Sequence, residues 1–103
     1  GEQLEALALE DRATGRWQEL PCQGLFAAIG RIPETVLLQG QVKLDSQGYV
    51  LAGESTQTNL PGVYAAGDIR TKPLRQIVTA AADGATAAHL AARYLGDSAS
   101  PET

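Results

Sequence analysis

Residues 59–83 decide the fold, and they read NLPGVYAAGDIRTKPLRQIVTAAAD. After a Pro-Gly turn, the apolar run 63–66 is typical of a strand that is buried on both faces. Gly67 and Asp68 end this strand, so a carboxylate is expected at the carboxyl end of a sheet strand, where open α/β sheets bind ligands. An ionised Asp68 accepts hydrogen bonds and is therefore a candidate for binding polyol hydroxyls. Taken alone, the Gly-Asp pair is more typical of an ordinary strand-end turn than of a ligand site.

A helix is predicted over residues 74–95, directly after Pro73. Its small and apolar residues recur every three or four positions and form one narrow face: Ile77, Ala81, Gly84, Ala88, Ala91 and Leu95. Gly84 costs roughly 1 kcal/mol relative to alanine in a helix, so we expect something to pack closely against it. Gly96 is expected to end the helix, and residues 97–103 to form a frayed polar tail.

The start of this helix is a second candidate for ligand binding. Its free N–H groups and its dipole favour an electron-rich ligand atom near Arg75 and Gln76. Taken singly, Arg75 is also consistent with a surface charge and Gln76 with a neutral helix former.

Two hairpins and another buried strand are predicted upstream. Residues 3–20 alternate apolar and polar side chains around an Ala-Thr-Gly turn, and residues 42–51 surround the turn at 45–48. The apolar run 25–29 is typical of a strand buried on both faces. The segment 30–33 breaks the pattern, so it turns a corner or joins two units. The fold class is therefore a mixed α/β piece with hairpins, two buried strands and one long carboxyl-terminal helix.

The composition limits which partners and sites the protein can be expected to have. The 103 residues carry 8 basic and 12 acidic side chains, and scattered basic residues argue against a nucleic-acid partner. No apolar run approaches the roughly 18–20 residues that cross a bilayer, so we expect a cytoplasmic protein without a membrane partner. The single Cys22 excludes an intrachain disulfide and a multi-cysteine metal site, and no metal is expected. No catalytic role is expected for Cys22 or His89. Because the chain has no methionine, we expect it to be a piece of a larger protein.

Together these stretches resemble the carboxyl-terminal part of thioredoxin reductases, which are FAD-dependent pyridine nucleotide–disulfide oxidoreductases. The resemblance covers residues 24–95 and rests on LFAAIGRIPET at 25–35, DSQGYV at 45–50, PGVYAAGD at 61–68 and PLRQIVTAAADGATAA at 73–88. Many flavoenzymes of the superfamily share a GVYAAGD segment, whereas RQIVTAAADGA favours the thioredoxin reductase branch. The related peroxiredoxin-reducing flavoproteins usually carry lysine where Arg75 stands.

The resemblance implies a set of FAD contacts. Gly67 and Asp68 would lie beside the ribitol and pyrophosphate, with Asp68 accepting a hydrogen bond from a ribitol hydroxyl. Arg75, Gln76 and Ile77 would meet the isoalloxazine ring. The helix N-terminus at that position would stabilise negative charge on the reduced ring.

The resemblance also implies a domain organisation and an activity. Residues 1–24 would end an NADPH-binding domain, residues 25–97 would form the carboxyl-terminal portion of an FAD-binding domain, and residues 98–103 would be a disordered tail. The two dinucleotide-binding domains would pass electrons from NADPH through FAD to a redox dithiol and then to a thioredoxin-like protein, in a homo-oligomer. Both Gly-rich loops and the C-x-x-C pair of the family are missing from these 103 residues. We therefore expect the chain alone to bind FAD weakly or not at all, to lack an NADPH site and to be catalytically incompetent.

Two alternatives remain open. One is a ferredoxin–NADP reductase of the thioredoxin reductase type, which lacks the dithiol; such relatives usually depart from the Arg-Gln pattern at the final helix. The other is a non-enzymatic assembly module folded around an alanine core. A compact monomer would favour that module, whereas the apolar runs 25–29 and 63–66 predict association.

Overall fold

The computed structural model describes residues 2–99. The chain divides into two compact units, of which the first ends at Gly30 and the second begins at Arg31. The elements are, in chain order, strand β1 (Ala6–Glu10), strand β2 (Trp17–Pro21), the 3-10 turns Val36–Leu38 and Gly67–Ile69, and helix α1 (Ile77–Ala99). The mixed α/β character, with one two-stranded sheet and one long carboxyl-terminal helix, agrees with the prediction.

The amino-terminal hairpin forms as predicted. Strands β1 and β2 pair antiparallel, with Leu7 opposite Leu20. In the connecting turn, Oδ1 of Asp11 accepts a hydrogen bond from the N–H of Ala13 at 2.8 Å, and Gly15 has a φ of +70°. Because glycine adopts positive φ at little steric cost, these local turn residues fix where the chain reverses.

The predicted buried strand at residues 25–29 does not form. No ladder within residues 2–99 pairs this run, and Phe26 and Ile29 are 99% and 98% exposed. An apolar run becomes a two-sided strand only where neighbouring strands pair with it and other layers cover it. The described residues provide neither for this segment.

A small apolar core lies in the second unit, centred on Val50, which is 1% exposed. Its members are Val42, Val50, Ala52 and Ala65, with Leu38, Leu44 and Ile69 packed against them. Val50 forms an antiparallel bridge with Leu44 and a parallel bridge with Arg70. The N–H of Val50 donates to the carbonyl oxygen of Ile69 at 2.9 Å, so the core is tied directly to the second 3-10 turn.

The turn predicted at residues 45–48 is present. Oδ1 of Asp45 accepts hydrogen bonds from the N–H groups of Gln47 and Tyr49, each at 2.9 Å, and Gly48 has a φ of +91°. Only one antiparallel bridge connects the flanking segments. The predicted hairpin is therefore a well-formed turn with a minimal ladder.

The second predicted buried strand, at residues 63–66, is also not a sheet strand. One antiparallel bridge joins Tyr64 to Gln57, and only Ala65 of the run is buried. The run leads directly into the 3-10 turn Gly67–Ile69, which we call the Gly-Asp turn.

Helix α1 begins later and ends later than predicted, at Ile77 and Ala99. Gly96 therefore lies inside the helix and does not end it, and the predicted tail is helical as far as residue 99. Residues 100–103 of that tail lie outside the described residues. Within residues 2–99, no helix combines the length and the apolar character needed to cross a membrane.

The start of α1 is set by a side chain of its own first turn. Oγ1 of Thr79 accepts a hydrogen bond from the N–H of Gln76 at 3.0 Å. This backward contact satisfies an N–H group for which the helix has no partner, as the third residue of a capping box does. The segment before Gln76 consequently stays outside the helix.

The face of α1 that packs is not the predicted one. Most residues of the predicted face are exposed: Ile77, Ala81, Gly84, Ala88 and Leu95. The residues that are buried or half-buried are instead Thr79, Ala80, Asp83, Thr86, Ala87, Leu90 and Ala91. Because alanine occurs on every side of this helix, the spacing of small residues does not indicate which side packs.

Replacement of Gly84 by alanine should stabilise the protein, contrary to the expectation of close packing. A methyl group at Gly84 would have no neighbouring atom within 4 Å. The gain in helix propensity is about 1 kcal/mol, and it should appear as a higher urea midpoint in equilibrium unfolding.

Gly48→Ala is the matched control and should lower the midpoint, because Gly48 has a φ of +91° and a methyl group there would lie 3.4 Å from Cγ of Pro33. A destabilised Gly84→Ala variant would contradict the open environment at Gly84.

Candidate functional site

The Gly-Asp turn, which carries Asp68, packs on the small core through Ile69 and also contacts helix α1. Gly67 has a φ of +85°, in the left-handed region that side chains disfavour. A methyl group on Gly67 would lie 3.6 Å from Cβ of Ala80, which is ordinary van der Waals contact. The backbone conformation, and not crowding, is therefore what requires glycine at this position.

The carboxylate of Asp68 is available for a ligand. It is 56% exposed, and its Oδ2 lies 3.6 Å from Nη1 of Arg31, whose side chain is 63% exposed. Asp68, Arg31 and Tyr49 line an open cavity of about 440 Å³. An exposed ion pair of this length is weak, so the carboxylate keeps most of its capacity to accept hydrogen bonds.

Arg75 holds the Gly-Asp turn through its guanidinium group. Nε donates to the carbonyl oxygen of Asp68 at 2.9 Å, and Nη2 donates to the carbonyl oxygen of Arg70 at 2.9 Å. The guanidinium also lies over the ring of Tyr49, 3.8 Å from its centroid, in a cation–π contact. These three contacts give Arg75 a role in the shape of the site that sequence reasoning did not foresee.

The structure brings together three of the five residues predicted to contact a cofactor, namely Gly67, Asp68 and Arg75. Gln76 and Ile77 follow at the start of α1 and are exposed, Ile77 to 91%. Of the five predicted residues, only Asp68 lines the cavity.

A buried ion cluster joins the Gly-Asp turn to α1. Its members are Arg70, Lys72 and Asp83, whose side chains are 3%, 3% and 6% exposed. Arg70 binds Asp83 through two hydrogen bonds, from Nε to Oδ2 at 2.7 Å and from Nη2 to Oδ1 at 2.8 Å. Nζ of Lys72 donates to Oδ2 at 2.8 Å, and the N–H of Gly67 donates to the same oxygen at 2.9 Å.

The remaining donors of Arg70 are also satisfied. Nη1 donates to the carbonyl oxygen of Thr71 at 2.8 Å and to that of Ala52 at 3.3 Å. Nη2 lies 3.3 Å from a carboxylate oxygen of Glu54, whose side chain is 91% exposed. A buried guanidinium is tolerated only when its charge and its donors are compensated in this way.

The cluster perturbs the ionisation of its own members. The hydrogen bonds from Arg70 hold the pKa of Asp83 well below the ordinary 3.8; burial opposes this shift, and the hydrogen bonds from Lys72 and Gly67 reinforce it. The pKa of Arg70 is raised, chiefly by its hydrogen bonds with Asp83 and against the effect of burial. Arg70 and Asp83 are therefore both charged at neutral pH.

Sequence reasoning missed this cluster. Asp83 lies 13 positions from Arg70 along the chain, and single charges are usually read as solvated surface residues. The available signal was a lone acid among alanines, three positions after Ala80, on a helix with few other charges.

Comparison with known proteins identifies the family of the chain that carries this turn and cluster. Residues 2–84 match the pyridine nucleotide-disulphide oxidoreductase family. The chain belongs to this family. Several proteins that are similar to this chain are thioredoxin reductases, so the predicted resemblance to them is confirmed.

The chain is 49% identical over 104 residues to the thioredoxin reductase of Streptomyces clavuligerus, a match that covers 99% of this chain and 32% of that protein. It is 47% identical over 98 residues to the thioredoxin reductase of Eremothecium gossypii, covering 94% of this chain and 31% of that one. The crystal structure of thioredoxin reductase from Streptococcus pyogenes matches with a TM-score of 0.76 at 33% identity, over 92% of this chain and 31% of that chain. The chain thus spans about a third of the length of these oxidoreductases.

Replacement of Asp83 by asparagine should destabilise the protein strongly, because Arg70 and Lys72 would stay buried without the carboxylate that both bind, and only the exposed Glu54 would remain beside Arg70. Breaking a buried ion pair in this way costs about 3–5 kcal/mol. The loss should depend on pH. Since the folded-state pKa of Asp83 is lowered, its contribution is complete above the unfolded value of 3.8 and is lost as pH falls towards the lower folded value.

Urea unfolding of the wild type and of Asp83→Asn, at neutral pH and at several values below about pH 4, measures both effects. The difference in unfolding free energy should be large at neutral pH and should shrink with acid. Asp97→Asn, at an exposed position of the same helix, should change stability by less than about 0.5 kcal/mol. A pH-independent difference would show that the carboxylate charge is not its source.

Proposed function

We propose that this chain supplies the carboxyl-terminal FAD contacts of an NADPH-dependent thioredoxin reductase. In the whole enzyme, electrons would pass from NADPH through FAD to a redox dithiol and then to a thioredoxin-like protein. The observation that carries the proposal is the Gly-Asp turn, where a half-exposed carboxylate lines an open cavity of about 440 Å³. Membership of the oxidoreductase family and the similarity to thioredoxin reductases support it.

The donor and acceptor chemistry of the turn fits FAD. A carboxylate accepts hydrogen bonds from hydroxyls, and the ribitol of FAD is a polyol, so Asp68 would bind a ribitol hydroxyl. The left-handed φ of Gly67, +85°, turns the chain directly before Asp68, whose carboxylate lines the open cavity. When bound, FAD supplies the two-electron redox chemistry that amino-acid side chains lack.

The residues around Asp68 would have separate tasks. Arg75 would keep the Asp68 carbonyl oxygen engaged at 2.9 Å and so hold the turn in one shape. Gln76 and Ile77, both exposed at the start of α1, would meet the isoalloxazine ring. The N–H groups of the first helical turn would favour negative charge on that ring.

The proposed domain organisation is that of two dinucleotide-binding domains. Residues 1–24 would end the NADPH-binding domain, and residues 25–97 would belong to the FAD-binding domain. The division into two units at Gly30 and Arg31 is compatible with a domain crossing near this corner. NADPH would bind outside these residues, and the enzyme would be a cytoplasmic homo-oligomer.

Asp68→Ala should weaken FAD binding by the complete protein, because a charged hydrogen-bond acceptor is lost. Such a bond contributes about 1.5–3 kcal/mol, so the dissociation constant should rise at least about tenfold. Flavin fluorescence titration of the apoprotein measures this constant. Asp97→Asn, with an exposed acid on the far part of α1, is the control and should bind FAD as the wild type does.

Two results would count against the proposal. If the complete wild-type protein binds no FAD, the proposed function is wrong. An unchanged dissociation constant in Asp68→Ala would leave FAD binding in place but remove Asp68 from the site.

A further inference from the structure

We propose that Asp83 is a positioning residue, which holds the Gly-Asp turn in the shape that lets Asp68 bind FAD. The inference rests on the proposed function, because it assigns a role toward the same cofactor. Asp83 itself lies inside the protein, with a side chain that is 6% exposed, and it would act only through the turn.

The first observation is the hydrogen bond from the turn to the helix. The N–H of Gly67, the residue directly before Asp68, donates to Oδ2 of Asp83 at 2.9 Å. Glycine has access to many backbone conformations, so a turn that begins with glycine is not fixed by its own sterics. A charge-assisted hydrogen bond from that residue to a carboxylate on a helix selects one conformation.

The second observation is that the same carboxylate holds the other end of the turn. Arg70 closes the turn through its own N–H, which donates to the carbonyl oxygen of Gly67 at 3.3 Å. Its guanidinium then binds both oxygens of Asp83, at 2.7 and 2.8 Å. Both ends of the segment that carries Asp68 are therefore tied to one side chain of α1.

The third observation provides a control inside the cluster. Lys72 donates to the same oxygen of Asp83 at 2.8 Å, yet it lies beyond the turn. Removing Lys72 weakens the ion cluster but leaves the contacts of Asp83 with Gly67 and Arg70 in place. A loss of stability and a loss of turn geometry can thus be separated by two different substitutions.

The test compares three forms of the complete protein: the wild type, Lys72→Met and the double variant Arg70→Met/Asp83→Leu. The double variant replaces the buried pair by apolar side chains, a change that is often neutral or stabilising, so it is expected to fold. Lys72 in that variant can direct its ammonium group to solvent along its aliphatic chain. Thermal unfolding followed by circular dichroism gives the folded fraction of each form.

The first readout is hydrogen exchange of the Gly67 amide, which does not depend on FAD. We expect protection in the wild type and in Lys72→Met, and exchange about tenfold faster or more in the double variant, measured relative to the amide of the core residue Val42, whose partner is Leu38. Equal protection of Gly67 in all three forms would overturn the inference.

The second readout is the dissociation constant for FAD, corrected for the folded fraction. A purely structural role of the cluster leaves the corrected constant at the wild-type value. We expect it to rise about tenfold or more in the double variant and to stay unchanged in Lys72→Met. A wild-type constant in the double variant would refute positioning by Asp83, whereas a wild-type protein without affinity for FAD would refute the proposed function together with this inference.

Discussion

Four hydrogen-bond donors converge on the carboxylate of Asp83: Nε and Nη2 of Arg70, Nζ of Lys72 and the N–H of Gly67. Each donor comes from the segment around the Gly-Asp turn, and the acceptor comes from helix α1. The apolar core of the second unit is small, with Val42, Val50, Ala52 and Ala65 as its buried members. A small core leaves a narrow margin of stability. The geometry of the unit therefore depends on these hydrogen bonds between helix and turn.

Burying these charged side chains costs solvation free energy, and the surrounding groups offset that cost. Arg70 and Lys72 bring two positive charges next to one carboxylate, and Glu54 adds a second negative charge at the exposed edge of the cluster. The carbonyl oxygens of Ala52 and Thr71 take the remaining guanidinium hydrogens. Within residues 2–99, no buried side-chain nitrogen or oxygen lacks a hydrogen-bond partner. A fully satisfied network of this kind favours a single arrangement over many alternatives.

The elements that could be predicted from sequence are those with local causes. The hairpin follows from Asp11 and Gly15, whose backbone preferences act over four residues, and the turn at Asp45 follows in the same way. The existence of α1 was predictable from the spacing of small and apolar residues after Pro73. Its packed face was not, because alanine occurs on every side of the helix and its spacing does not mark the side that carries the buried Asp83.

The apolar runs were predicted to be strands that the structure does not contain. Residues 25–29 have the composition of a central strand, but a strand needs partners, and composition does not say where those partners are. At the candidate site, Gly67 and Asp68 were predicted as cofactor contacts from a Gly-Asp motif after an apolar run, although that run is not a sheet strand. Asp83 was not found, since its contact with Arg70 spans 13 positions and no periodicity in the sequence encodes it.

The same arrangement links stability to the proposed function. Asp68 stands between two residues, Gly67 and Arg70, that are both held by Asp83. Arg75 binds the carbonyl oxygens of Asp68 and Arg70 from the other side. A carboxylate that is to recognise a polyol must be held in place, because loosely positioned groups lose binding energy to ordering. The buried pair of Arg70 and Asp83 would then hold the exposed carboxylate of Asp68 in position.

A double-mutant cycle on Arg70 and Asp83 tests the central claim most directly. The unfolding free energies of the wild type, Arg70→Met, Asp83→Leu and the double variant give the coupling between the two side chains. The account predicts a coupling of about 2–3 kcal/mol or more, with the double variant more stable than either single variant. Additive effects, with a coupling below about 0.5 kcal/mol, would contradict the claim that this pair holds the turn to the helix.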